Sequence, residues 1–258
     1  MSSNRQSNFK SLIENKEELI GCFIKTPNYQ LVEIASLSNL SFIVLDAEHA
    51  PFDREQLDIA IMAAKTKDLP ILVRVPKISD EYILSILDQG ADGILVPHIN
   101  TLDDAKDAIA ATKFLTPDCP IGRRGFSNSS RAGDYGGLSI KDLVHLSNNS
   151  SVIVCQIEEK QAVDNIDEII QQQHIDCLFI GMADLAISLG CSELNDPKVI
   201  NAIDHVVLTA NKNNICLGIY IADKTNIDMW RKKGFTFFVV GSDQSHLMHA
   251  FNNLISSF

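Results

Sequence analysis

The chain runs to 258 residues, 45% of them hydrophobic, and carries a formal net charge of -11 without any Lys/Arg-rich tract. That acidic balance speaks against nucleic acid and anionic membrane as partners, because both need a basic footprint. No stretch of 18 or more apolar residues occurs, and the opening MSSNRQSNFKSLIENK lacks an apolar core, so the expectation is a soluble cytoplasmic protein with neither membrane span nor secretion signal.

Taken in chain order, the first apolar run is ELIGCFIK (18–25), followed by FIVLD (42–46) and the helical spacing of REQLDIAIMAAKTK (54–67). PILVRV (70–75) and GILVP (93–97) come next, and then the second helical stretch, TLDDAKDAIAATKF (101–114). SVIVCQIE (151–158) precedes KQAVDNIDEIIQQQ (160–173), and CLFIGM (177–182) precedes PKVINAIDHVVLTANK (197–212). ICLGIYI (215–221) and FTFFVVG (235–241) complete eight candidate strands. Most are continuously apolar, as strands buried on both faces of a parallel sheet must be, while the segments between them place apolar residues three and four apart. Eight βα units in this length predict a (β/α)8 TIM barrel, with a doubly wound sheet as the alternative, since alternation does not show closure. No linker or composition shift interrupts residues 1–258, so a single domain is expected.

The six cysteines (Cys22, Cys119, Cys155, Cys177, Cys191, Cys216) contain no CxxC pair, and four lie in strand-like runs. They read as buried thiols of a reducing compartment, with neither disulfides nor a zinc cluster. The longest break, TPDCPIGRRGFSNSSRAGDYGG (116–137), gathers Arg123, Arg124 and Arg131. Such a loop is either functional or a solvated flexible segment, and composition does not choose.

A TIM barrel builds its active site at the C-terminal ends of its strands. Strand two ends in Asp46, Glu48 and His49, strand three carries Arg74, strand five ends in Gln156 and Glu158, strand six runs through Gly181 to Asp184, and strand eight reaches Asp243. Singly, Asp184 and Asp243 read as helix caps, His49 as a structural histidine and Glu158 as part of a solvated helix turn. Arg74 is different, because a guanidinium between Val73 and Val75 in a buried strand needs an anionic partner. Together on one rim the set reads as a site. Glu158 and Asp184, with no Cys or His pair nearby, suit Mg²⁺ or Mn²⁺ and leave positions for a 2-oxo acid. The metal and Arg74 would then stabilise an enolate. His49 is the candidate base, with Asp46 three residues earlier to fix its tautomer.

The segments LDAEHAPFD (45–53), VRVP (73–76), LDQGADGILVP (87–97), GRRGFSNSSRAGDYG (122–136), QIEEKQAVDNIDEI (156–169), GMADLAISLG (181–190) and VVGSD (239–243) run in order over nearly the whole chain. In combination they resemble the HpcH/HpaI aldolase family of metal-dependent class II pyruvate aldolases. The resemblance implies a TIM barrel that swaps its last helix between protomers and assembles as a hexamer of three dimers. It implies proton transfer by His49 with Asp46, enolate stabilisation by Arg74, and metal binding by Glu158 and Asp184. Pyruvate contacts are implied for Gln156 and the Gly181, Met182 and Ala183 backbone, and in one branch an aspartate matching Asp88 comes from a neighbouring subunit. Met182 stands where the family commonly has proline, Lys25 and His98 are ionisable where none is expected, and Arg124 is the candidate for a distal substrate group.

The expected reaction is reversible aldol cleavage of a 4-hydroxy-2-oxo acid to pyruvate and an aldehyde. Its rivals are a Schiff-base aldolase using Lys25, a related condensing enzyme such as a siderophore-pathway citrate synthase, and a non-catalytic 2-oxo acid binding protein. Glu48 has no assigned role.

Overall fold

Period-two alternation inside the apolar runs sorts their side chains into two layers, and those layers dictate the architecture. A computed structural model describes residues 3–256. Among them the chain begins with α1 (Ser3–Glu14), β1 (Leu19–Ile24), α2 (Tyr29–Ser36), β2 (Phe42–Asp46), α3 (Arg54–Lys65), β3 (Ile71–Arg74), α4 (Asp80–Asp88), β4 (Gly93–Val96) and α5 (Leu102–Thr112). A 3₁₀ turn (Arg131–Gly136) leads to α6 (Ile140–Ser150), β5 (Val152–Ile157), the short α7 (Lys160–Asp164) and α8 (Ile166–Ile169), β6 (Cys177–Ile180) and α9 (Met182–Ser188). The chain closes with α10 (Pro197–Lys212), β7 (Cys216–Ile221), α11 (Ile227–Lys232), β8 (Phe237–Ser242) and α12 (Asp243–Ser256).

Every strand pairs in parallel with its successor and β8 returns to pair with β1, so the sheet is a closed (β/α)8 barrel and not a doubly wound sheet. Phe42, Val44, Leu72, Leu95, Val154, Phe179, Phe237 and Val239 point inward as one cluster. Ile43, Leu45, Ile71, Val73, Ile94, Ile153, Leu178 and Phe238, one residue out of phase, pack against the surrounding helices as the other. Bulky rings fill the interior, with Phe42 and Phe237 stacked at 4.2 Å. Gly21 leaves room for them, since a β-carbon there would lie 2.7 Å from the Phe42 ring.

The base of the barrel is stoppered by α1. Phe9 and Ile13 join the interior cluster, with the Phe9 ring 5.7 Å from that of Phe42. Beside them, Lys10 Nζ reaches Asp176 Oδ1 at 2.5 Å, and Asp176 Oδ2 accepts from the Ile153 N–H at 2.8 Å, tying α1 to the entrances of β5 and β6. Among the described residues the opposite end carries no such plug.

The helical stretches read from spacing appear with clear end signals. Asp53 and Thr101 each form a capping box, and Asp196 caps α10 just before Pro197. The stretch 160–173 differs, breaking into α7 and α8 at Asn165 (φ -100°, ψ 8°), whose amide donates to Asn100 O at 2.8 Å. The six cysteines are all free thiols. No helix among the described residues is long and apolar enough to cross a membrane. The last helix, α12, buries only Asp243 and leaves Leu247, Met248, Phe251, Leu254 and Ile255 exposed.

The loop 116–137 is held down by its arginines. Arg123 pairs with Asp80 and Asp107, Arg124 with Asp88, and Arg131 with Asp58. Preceding it, Lys113 is fully buried, with Nζ donating to the carbonyls of Asn148 and Ser151 at 2.8 Å each. Burial, with Lys10 nearby, pushes its pKa down to about 7. Above that value the unfolded chain binds the extra proton, so stability should rise with pH from about 7 towards 9. Beyond 9 the opposite pull begins, because burial holds Cys22 and Cys155 up at about 12. Urea unfolding at pH 7 and 8.5 should show this increment in the native chain and its loss in Lys113→Met.

Candidate active site

At the C-terminal end of the barrel, β2 and β3 run in register so that Asp46 and Arg74 are direct neighbours. Arg74 Nε and Nη2 donate to Asp46 Oδ1 and Oδ2 at 2.9 and 2.7 Å, a bidentate pair with Asp46 wholly buried. The guanidinium lies 4.5 Å above the Phe23 ring, which packs in turn 5.9 Å from the Tyr220 ring. Burial works to raise the Asp46 pKa. The Arg74 hydrogen bonds and charge, the His49 N–H and Lys25 outweigh it and hold the carboxyl below its ordinary value.

This corrects the expected pairing of Asp46 with the His49 ring. Both Asp46 oxygens are taken by Arg74, and Oδ1 also accepts the N–H groups of Glu48 at 3.2 Å and His49 at 3.1 Å. Asp46 therefore shapes the turn that carries His49 and leaves its imidazole alone. The ring, 59% exposed, instead has Nε2 3.7 Å from Glu48 Oε2. Glu48, unassigned in the sequence, occupies the middle of the cluster: Oε2 is 3.3 Å from Arg74 Nε and Oε1 3.4 Å from His98 Nε2.

Across the mouth, the tip of β5 contributes Gln156 and Glu158, both buried. Glu158 Oε1 accepts the His98 N–H at 2.8 Å, and Oε2 accepts from Gln156 Nε2. Burial, reinforced by Glu48, raises the Glu158 pKa against the opposing pull of these donors and of the His98 charge. Gly181 follows β6 and sits so close that a β-carbon would lie 2.8 Å from Glu158 Cβ and Oε2. Met182, Ala183 and Asp184 then form the first turn of α9, with Ala183 and Asp184 exposed. The Asp243 carboxylate, at the start of α12, accepts the N–H groups of Lys25 at 2.7 Å and Thr26 at 3.1 Å, joining β8 to the end of β1.

A divalent cation suits this corner. Gln156 Oε1 is a buried acceptor without a hydrogen-bond partner, and it adjoins a buried carboxylate whose ionised form is penalised by desolvation. Hard oxygen donors in that state gain from a hard cation. Among the described residues no group of three or more His, Cys, Asp or Glu is poised to hold a metal; the groups that would hold one are the Glu158 carboxylate with Gln156 beside it and the exposed carboxylate of Asp184 in the first turn of α9.

Arg124 stands elsewhere. Its guanidinium lies 4.7 Å over Phe114 and donates to Asp88 Oδ1 and Ser147 Oγ, each at 2.8 Å. The cavity that Arg124 lines is bounded by Leu69, Gly90, Asp92 and Ser151, residues that precede β3, β4 and β5. Within the protomer Arg124 therefore does not reach this mouth, because its pair with Asp88 sits at the N-terminal end of the barrel. Lys25, His98 and Tyr220 do reach the mouth. Lys25 and His98 were visible as unexpected ionisable residues at strand ends; Tyr220 and Glu48 gave no signal beyond strand alternation.

Residues 19–250 match the family model described as HpcH/HpaI aldolase/citrate lyase. A 5-keto-4-deoxy-D-glucarate aldolase of Shigella boydii serotype 18 is 34% identical over 97% of this chain and 95% of its own. The crystal structure of a HpcH/HpaI aldolase/citrate lyase family protein from Burkholderia cenocepacia J2315 superposes with a TM-score of 0.93 at 28% identity, covering 97% of this chain and 98% of that one. A citrate synthase shares the fold at TM-score 0.85 and 24% identity, over 96% of each chain.

Two substitutions test this geometry. Asp46→Asn leaves a buried guanidinium short of its charge partner and should cost about 3 kcal/mol in chemical denaturation. Gly181→Ala should lower kcat/KM by about a hundredfold, as expected when a site group is displaced by about 1 Å, and its crowding of the buried Glu158 should cost about 1–3 kcal/mol in folding stability.

Proposed function

The chain belongs to the HpcH/HpaI aldolase/citrate lyase family, and from that footing we propose that it is a metal-dependent class II aldolase, a carbon-carbon lyase, that reversibly cleaves a 4-hydroxy-2-oxo acid to pyruvate and an aldehyde. A six-carbon sugar-acid derivative such as 2-dehydro-3-deoxyglucarate is the substrate class, in keeping with the name of the 34% identical relative. The observation that carries this reading is the Arg74 guanidinium, fixed by Asp46 at the same mouth as Glu158 and the unmatched Gln156 oxygen.

Glu158 and Asp184 would hold Mg²⁺ or Mn²⁺, which would supply Lewis-acid chemistry to the 2-oxo acid. Gln156 and the backbone of Gly181, Met182 and Ala183 line the pyruvyl half. His49 takes the proton from the C4 hydroxyl, the C3–C4 bond breaks, and its electron pair moves towards the keto oxygen. Arg74 meets the charge that develops there, and because Asp46 already fixes its fork, little reorganisation accompanies the step. A proton returned to C3 completes pyruvate. Glu48, beside both Arg74 and His49, helps orient them.

Lys25 does not favour the Schiff-base rival, since its Nζ is paired with Asp46 Oδ2 at 3.4 Å and its side chain is partly exposed, not set in the desolvated pocket that activates such a nucleophile. A homo-oligomer, a hexamer built of three dimers with α12 exchanged between protomers, is part of the same proposal. It is supported by the apolar stripe that α12 leaves uncovered. Asp88 would meet a neighbouring copy's site in that assembly.

Release of pyruvate, followed with lactate dehydrogenase, should depend on added Mg²⁺ or Mn²⁺ and vanish with EDTA. Arg74→Ala should lower kcat by about 10²–10³-fold, as for loss of one preorganised donor to a developing oxyanion. Turnover that survives complete chelation overturns the metal reading, and turnover of oxaloacetate with acetyl-CoA alone overturns the aldolase reading. Sedimentation should give a species larger than the 28.5 kDa protomer.

A further inference from the structure

We propose that His98 is a positioning residue for the Glu158 carboxylate, binding it from backbone and ring at once and linking it to Glu48 across the mouth. The inference rests on the metal site proposed above and adds to it a residue outside the ligand set.

The geometry of residue 98 is unusual. It follows β4 by two residues and holds φ at +56°, a left-handed conformation that an L side chain adopts at a cost and that glycine or asparagine accepts more readily. That turn aims the backbone N–H at Glu158 Oε1, 2.8 Å away, and brings Nδ1 to 3.3 Å from the same oxygen. Nδ1 also lies 2.9 Å from Glu159 Oε1, while Nε2 faces Glu48 Oε1 at 3.4 Å. Both ring nitrogens thus face carboxylates, one set from the end of β5 and one from the end of β2. The imidazole spans strands that are not neighbours in the sheet, bridging over β3 and β4.

A purely structural account predicts that glycine at 98 would serve at least as well, because it keeps the N–H donor and relieves the left-handed strain. The positioning account predicts otherwise. Without the ring, Glu158 keeps the N–H of residue 98 and the Gln156 amide but loses its tie to Glu48, and its carboxylate gains freedom to turn. Groups that orient a metal ligand from behind typically carry about 10–100-fold in affinity.

The test is Mn²⁺ affinity, measured on the full chain by calorimetry or paramagnetic resonance without substrate, beside thermal melting of each variant. His98→Gly should bind Mn²⁺ at least about tenfold more weakly while melting no lower than the native chain. His98→Ala, which keeps the strained backbone and removes the ring, should show the same loss and serves if the glycine variant does not fold. His98→Asn, which places an amide near the position of Nδ1 and tolerates the left-handed backbone, should recover most of the affinity. Glycine and alanine variants that match the native affinity overturn the proposal. A native chain that binds no Mn²⁺ overturns it together with the metal site, and that outcome is recognised from the native titration alone.

Discussion

A guanidinium in the wall of a closed parallel barrel has to be neutralised where it stands, and the Asp46–Arg74 pair answers that demand. Register delivers the two residues to adjacent strand ends, and the bidentate geometry engages both carboxylate oxygens. The rest of the rim is arranged around the pair. Asp46 has capacity left for the N–H groups of residues 48 and 49, so the chain leaving β2 turns at once and sets Glu48 against Arg74. Buried ion pairs are poor sources of stability, since desolvation offsets much of the Coulomb attraction. The value of this one lies in fixing the direction of a positive charge, which an apolar pair could not do.

The two ends of the barrel resolve the same packing problem in opposite ways. At the base, α1 inserts Phe9 and Ile13 and closes the interior against water. At the mouth the interior layer turns polar, with Asp46, Arg74 and Gln156 where further hydrophobes would complete a core. A molecule with both ends plugged would bury more apolar surface and offer no place for a ligand. The polar mouth also sets Glu48 and Glu158 on opposite sides of the His98 ring, and burial, with the Glu48 charge adding to it, raises the Glu158 pKa.

Much of this was legible in the sequence because barrel strands carry a strong signal. The eight apolar runs, their continuous character and the polar residues at their ends follow from burial on two faces, and closure of β8 on β1 agrees with their count. Strand ends bring the polar residues to one rim, but local spacing does not say which of them pair. Asp46 and His49 sit three residues apart, yet Asp46 is drawn to Arg74, twenty-eight positions on in the chain, because a buried guanidinium outcompetes an exposed imidazole for a carboxylate. A loop after a helix gives no sign of which end of the barrel it covers, so the position of Arg124 beside Asp88 is not legible in the sequence. Glu48 and His98 meet only across the mouth, a relation that no local spacing encodes.

The ties at the two ends have a consequence for how the chain comes together. Asp243 clasps the backbone of Lys25 and Thr26 from 218 positions away, and Lys10 waits for Asp176, 166 positions later. Neither the stopper nor the seam exists until most of the polypeptide is made, so the first strand and helix spend synthesis with their apolar faces unsatisfied. Contacts of such sequence separation slow folding and make it strongly cooperative. During synthesis on the ribosome, half-made barrels are the exposed species, with unpaired edges at both the first and the newest strand.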